Sequence, residues 1–495
     1  MKYLFIFIAL CGSVPSLAQQ KTEEKLFSRF LQADVYYTVY TPAGRDTAQP
    51  LPVLYTFSYG MVSGDYIAAS LNYYQSAHYP IPNTIYVNVI AAMDRIGYSY
   101  SSGLLTKSGE QLVQCMQQEI FPAVEKKYHA SSFRTYLGHS YAASYANYLF
   151  LFYPDLFRGY IVLAPEKIAA AQPPFVITDS LVKWYNQHTT FYYTAVGEND
   201  MERRMAYAKE AESKTKVFDS TRFYFRRDSI VGGDHTNIIS LALQSGIEHV
   251  YQLYNPYEEA GKTDHVMVEL QQVTVRVQQA YDMPPQKTPE YYSRFAQLAI
   301  ANKDTAGLRK ILAHFDNEKG KSWYYMQFAG FCSNLSMTAL AYTYLGRAIA
   351  MMEKDEMNTD LGVSNLVSCY TMMANNILKD DNARAWQYLQ KAKALSARKM
   401  RSGHQLIDIY YDMGVFAASH NYNVKEGLES LQQFIVLSGN VSADAHGLEY
   451  RKTNFYIGKC YYLLNDHANA KVYLQKELAL HPGNKDATEL LGKMK

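Results

Sequence analysis

The sequence predicts two fold classes in one chain. The first is an α/β domain with a mostly parallel sheet covered by helices on both faces, and the second is an all-α domain of helical repeats. Three observations predict this. Up to Pro256, short β-rich apolar runs alternate with helical patterns, as a parallel sheet requires, because each parallel pair needs a crossover. From Pro289 onward the strand signals vanish and helical pairs recur. Between the two lies a polar stretch, residues 258–263. The expected boundaries are a leader at 1–18, the α/β domain at 19–257, a linker with a helix at 258–289, and the helical domain at 290–495. A chain of 495 residues is long for one domain and suits two or three.

Composition narrows the classes further. The chain is 48% hydrophobic and 19% charged, enough apolar content for sizeable cores. The net charge of +2, with no basic tract or acidic tail, gives no reason to expect nucleic acid or an electrostatic membrane anchor. Lys2, an apolar run over 3–10 and Ser16-Leu17-Ala18 read as a secretory signal with the mature chain starting near Gln19. That run is too short to span a bilayer, and Leu10 before Cys11 argues against a lipoprotein. The expected location is the periplasm or the exterior. Cys115, Cys332, Cys369 and Cys460 lack metal-site spacing and read as small buried hydrophobes, with an isolated disulfide among the last three left open. Tyr is abundant at 45 residues, which suits either helical-repeat packing or a carbohydrate-like cleft.

In chain order, residues 35–42 alternate and read as an early strand. Residues 52–57 form a continuous apolar strand that breaks at Ser58-Tyr59-Gly60, and residues 83–90 form another that ends before Arg95. Residues 111–127 carry apolar side chains at helical spacing. Strands follow at 133–137, 159–164, 190–196 and 221–226.

The stretch Gly138-His139-Ser140-Tyr141-Ala142 sits between a strand and a helix. A Ser on such a sharp strand-to-helix turn, with small residues two before and two after it, is a nucleophile elbow. The alternative is an ordinary connection whose Ser caps the helix. Two later strand ends decide for the elbow: Gly197-Glu198-Asn199-Asp200, and Gly233-Asp234-His235 after the last strand. The order Ser, acid, His is that of an α/β-hydrolase. Ser140 would be the nucleophile and His235 its base. Asp200 would hold the imidazole, with Glu198, Glu202 and Glu166 as alternative acids. Backbone N–H groups of Tyr141 and of Tyr59 or Gly60 would form the oxyanion hole. Arg95 and Glu166 are candidate substrate contacts, though an Arg such as Arg95 more often serves an ion pair. His139 reads as a packing or locally hydrogen-bonding residue.

On these residues, about 35–256 resembles the esterase family of α/β-hydrolases that includes esterase D-like enzymes and siderophore esterases. The matching stretches are Val53-Leu54-Tyr55, 87–95, Gly138-His139-Ser140-Tyr141, 197–200 and Gly233-Asp234-His235. The resemblance implies Ser140 as nucleophile, His235 as base and Asp200 at the acid position. Two departures stand out: Ser58-Tyr59-Gly60 where an Asp-Gly turn is usual, and Ala142 in place of Gly. The expected activity is hydrolysis of a small carboxylic ester through an acyl-enzyme, with no metal or organic cofactor. The rivals are a peptidase or acyltransferase on the same three residues, and a non-catalytic interaction protein.

Beyond a mixed-period stretch at 266–282, read as a helix, helical patterns recur at 291–302, 305–315, 323–353, 366–379, 383–396, 406–419, 424–437, 455–463 and 468–480. Gly458, Tyr461, Ala470, Leu474 and Pro482 match tetratricopeptide spacing, in which small residues let paired helices cross closely. Gly414 with Gly427, and Ala374 with Ala385, read as degenerate copies. Such repeats would offer a protein partner a concave surface.

Overall fold

The computed structural model describes residues 19–42, 49–57, 64–75, 81–90, 97, 102, 104–167, 175–254, 265–286, 289–314, 322–356, 359–378, 380–399, 404–438 and 451–494. The chain divides into two compact units, 1–295 and 296–495.

Among the described residues, the first unit is built on eight strands: β1 (Gln20–Ser28), β2 (Ala33–Thr41), β3 (Leu51–Phe57), β4 (Ile85–Ile90), β5 (Ala130–His139), β6 (Gly159–Leu163), β7 (Thr190–Gly197) and β8 (Phe223–Ile230). They lie in the order β1-β2-β4-β3-β5-β6-β7-β8. Of these seven pairings, β1–β2 and β2–β4 are antiparallel and the others parallel. Strand β1 was not expected from the sequence. Its run QKTEEKLFS is mostly exposed and includes four charged residues, so it carries no buried-strand signal. It is held by pairing with β2 and by Lys127, which reaches Glu24 at 2.6 Å.

The helices of this unit include α1 (Gly64–Tyr74), α2 (Lys107–Cys115), α3 (Phe121–Tyr128), α4 (Tyr141–Phe152), α5 (Asp179–Gln187), α6 (Glu202–Thr215), α7 (Ile238–Val250) and α8 (Val266–Tyr281). Helices cover both faces, as strand periodicity shows directly. Alternate side chains of a strand point to opposite faces. Phe191 and Tyr193 of β7 meet His249 of α7 (Ile238–Val250), and the intervening Tyr192 meets Phe150 of α4 (Tyr141–Phe152). Many tyrosines enter this core. Tyr136, Tyr145, Tyr160, Tyr185, Tyr192 and Tyr193 are fully buried. Several hydroxyls are satisfied locally, Tyr185 by Phe150 O at 2.6 Å and Tyr193 by Asp228 at 2.9 Å.

The helical pattern at 111–127 resolves into Lys107–Cys115, a π-helical turn Met116–Ile120, and Phe121–Tyr128. Pro122 at the start of the last piece lacks the N–H that would continue a regular ladder. The helix at Val266–Tyr281, here α8, packs on the sheet. Tyr281 lies against Phe133 and Phe191, and its hydroxyl donates to Val250 O at 3.0 Å. Just beyond it, buried Gln286 exchanges two hydrogen bonds with the Asn83 backbone, at 2.7 and 3.0 Å.

The second unit is helical. Ser322–Asn334 packs with Thr338–Asp355, Asp360–Met372 with Asn382–Lys399, His404–His420 with Val424–Ser438, and Thr453–Leu463 with His467–Leu480. The pattern at 323–353 is thus two helices. Ser336 turns left-handed (φ 56°), and Met337 N–H returns to Cys332 O at 2.8 Å. A Cβ on Gly458 would stand 2.9 Å from Leu474 Cγ and 3.3 Å from Ala470 O, so this pair does cross closely. A further short helix, Lys485–Gly492, follows Pro482. Cys115, Cys332, Cys369 and Cys460 are all buried. Among the described residues, no helix is long and apolar enough to cross a membrane.

Candidate active site

The parallel strands bring four chain segments to one edge of the sheet. β3 is flanked by β4 on one side and β5 on the other, so the chain reverses direction across the sheet there. Crevices outside the carboxyl ends of strands form at such switch points. Ser140 follows β5, Glu166 follows β6, Asp200 follows β7 and His235 follows β8.

Ser140 is a strained residue. Its φ of 57° and ψ of −119° are a conformation that costs a side-chain-bearing residue about 1–3 kcal/mol. The surroundings over-determine it. Ser140 N–H donates to Leu163 O at 2.9 Å, extending the β5–β6 ladder by one step. Its carbonyl accepts from Ser144 N–H at 3.1 Å, the first bond of α4. A Cβ on Gly138 would stand 2.6 Å from Ala142 O, so only glycine fits where strand and helix meet. Ala142 is tolerated as a buried methyl at the other end of the turn. Tyr141 opens α4, so its N–H lies at the positive end of the helix dipole.

The acid and histidine loops are laced together by their backbones. Gly197 stands beside Ile230 in the sheet register. A Cβ on Gly197 would stand 2.4 Å from Gly233 C and O, so the loops touch without side chains between them. Glu198 N–H donates to Ile230 O at 3.1 Å and Asn199 N–H to Gly233 O at 2.9 Å. Asp234 Oδ1 then accepts from the N–H groups of Thr236 and Asn237, at 2.7 and 2.8 Å, and starts the turn into α7.

These contacts bring His235 Nδ1 to 3.2 Å from Asp200 Oδ2. A carboxylate only accepts, so Nδ1 carries a proton, and in the neutral imidazole Nε2 is then the nitrogen with the lone pair. The Asp200 side chain is 1% exposed, and that of His235 is 32% exposed. Burial by itself would raise the Asp200 carboxyl. The Met201 N–H (2.7 Å), Arg204 Nη1 (2.5 Å) and His235 together outweigh it and hold the group below its ordinary range.

The other carboxylates go elsewhere. Glu166 Oε2 accepts from Arg203 Nε at 2.6 Å and Oε1 from Arg204 Nη2 at 3.1 Å. Glu198 and Glu202 are exposed. Arg204 was not anticipated as part of this site. In sequence it opens a helix of solvated character (Glu202–Thr215), yet it is buried between two carboxylates from different strand ends. His139, read from the sequence as packing or bonding locally, reaches His235 across 96 residues of chain. Its Nε2 lies 2.7 Å from His235 O. Tyr59, Gly60 and Arg95 lie outside the described residues. Among the described residues, no group of three or more His, Cys, Asp or Glu side chains gathers in metal-binding geometry.

No family model matches the chain, and no curated protein matches it. Solved structures are similar to it at low identity. An IroE-like serine hydrolase from Shewanella oneidensis is 15% identical, covering 60% of this chain and 100% of that one, with a TM-score of 0.49. An uncharacterised protein from Capnocytophaga ochracea is 13% identical over 67% and 94% of the two chains, with a TM-score of 0.47. The siderophore hydrolase EstA from Aspergillus nidulans is 14% identical over 52% and 100%, with a TM-score of 0.38.

Proposed function

We propose that the first unit is a serine hydrolase of carboxylic esters, with Ser140 as nucleophile, His235 as general base and Asp200 as the orienting acid. The observation that carries this reading is the pairing of Asp200 with His235 Nδ1 at 3.2 Å, on loops next to a Ser held at φ 57°. His235 Nε2 takes the Ser140 proton as Oγ attacks the acyl carbon, and the developing imidazolium is stabilised by Asp200. The same proton passes to the leaving alcohol, and water then hydrolyses the acyl-enzyme by the reverse relay. The Tyr141 N–H at the head of α4 is one donor to the oxyanion, and Tyr59 or Gly60 would supply the second. Arg95 is kept as a candidate substrate contact. In this reading Glu166 serves the arginines rather than the substrate. The segment 1–18 exports the enzyme, and the helical pairs of the second unit are tetratricopeptide-like repeats that present a surface to a protein partner.

The test is covalent. A fluorophosphonate probe should label the purified full chain once, at the peptide bearing Ser140, and Ser140→Ala should abolish both labelling and p-nitrophenyl acetate turnover. Labelling that survives Ser140→Ala would overturn the assignment.

A further inference from the structure

We propose that His139 is a positioning residue that pins the backbone of His235, so that base and nucleophile are held by one hydrogen bond between adjacent loops. This deepens the hydrolase reading above and rests on it. His139 is the last residue of β5 and directly precedes Ser140. Its side chain is buried. Its Nε2 lies 2.7 Å from the carbonyl oxygen of His235, and the two rings are 4.7 Å apart at 37°.

A carbonyl oxygen only accepts, so His139 Nε2 must be the donor. His139 is therefore the neutral Nε2–H tautomer in this arrangement. Burial pushes its imidazole down to about 4, which keeps it uncharged beside a histidine that must become cationic during turnover.

The remaining anchors of the His loop sit elsewhere. Asn199 holds Gly233, and Asp234 caps the turn that follows. His235 itself is gripped at two points, its ring by Asp200 and its carbonyl by His139. Those grips come from β7 and β5, and β5 is the strand that delivers Ser140. Without the second grip, the imidazole could pivot about the Asp200 contact away from the hydroxyl it must deprotonate. Misplacement by about 1 Å can cost ~10²-fold in rate.

The experiment compares His139→Phe, which keeps a ring but no donor, with His139→Gln, whose amide can donate from a similar position. Both are made in the full chain. His139→Phe should lower kcat on p-nitrophenyl acetate by about 10- to 100-fold with KM within about threefold. It should also speed amide exchange at residues 235–237. His139→Gln should restore most of both. Wild-type kcat and exchange in His139→Phe would overturn the inference, and so would equal impairment of the two variants, which marks a packing role. If the wild-type chain takes no fluorophosphonate and turns over no ester, the hydrolase reading fails, and the exchange comparison still decides whether His139 pins the loop.

Discussion

Arg204 and Asp200, four residues apart, form a buried ion pair. Nη1 donates to Oδ1 at 2.5 Å, and the two side chains are 5% and 1% exposed. The other end of the guanidinium serves Glu166 at 3.1 Å, so one cation ties the loops after β6 and β7 together.

Removing that cation should be costly. Arg204→Met removes the cation that both carboxylates share, leaving Asp200 to Met201 N–H and His235 and Glu166 to Arg203. Breaking a buried pair from one side costs about 3–5 kcal/mol. Denaturant unfolding measures this. Arg204→Lys should recover only part, because an ammonium lacks the planar fork that spans two carboxylates. A loss under about 1 kcal/mol in Arg204→Met would contradict the geometry.

Asp200 and Glu166 should separate cleanly in activity. Asp200→Asn should lower turnover by on the order of 10⁴, since the imidazole loses the partner that fixes its tautomer. Glu166→Gln should change turnover less than tenfold while lowering the melting temperature, because its carboxylate meets arginines and not His235. The reverse ranking in ester assays would transfer the acid role.

Truncation should expose where the first unit ends. A fragment ending at 262 lacks α8 and Gln286. It would uncover Phe133 and Phe191, which Tyr281 covers, and leave the Asn83 backbone bonds unmade. A fragment ending at 295 keeps them. The longer fragment should melt cooperatively and hydrolyse esters, and the shorter should aggregate or melt much lower. Equal thermal stability of the two would contradict this.

Stability should fall as pH drops from about 6.5 to about 4. Burial pushes His139 and His249 down to about 4. Unfolded imidazoles protonate near 6.5, so in this window the unfolded chain binds more protons, and stability rises with pH. Each histidine contributes a slope of about 1.4 kcal/mol per pH unit. Asp200, held below its ordinary value, adds its own loss only at lower pH. His249→Gln can still donate to Tyr224 O and should flatten the slope measured by urea unfolding at stepped pH.

The catalytic candidates were legible because each lies just past a strand, buried before Ser140 and Asp200 and alternating before His235, where chemistry in a parallel sheet gathers. The alternation of apolar runs with helical patterns through 254 was equally readable. Strand β1 was not, because an edge strand need not hide its side chains. The break at Ser336 was not either, because a serine in the left-handed region leaves no composition signal. Arg204 and the reach of His139 were illegible for a deeper reason. Both act through partners 38 and 96 residues away, and only the strand order brings those partners near.

In the proposed hydrolase, the backbone of Ser140 would set stability and activity against each other. A glycine would occupy φ 57° without the penalty a serine bears there. Ser140→Gly should thus yield a sturdier and inert protein. Selection for heat tolerance alone would be rewarded for discarding the hydroxyl at that turn. Any campaign to harden this chain must therefore score turnover in every round.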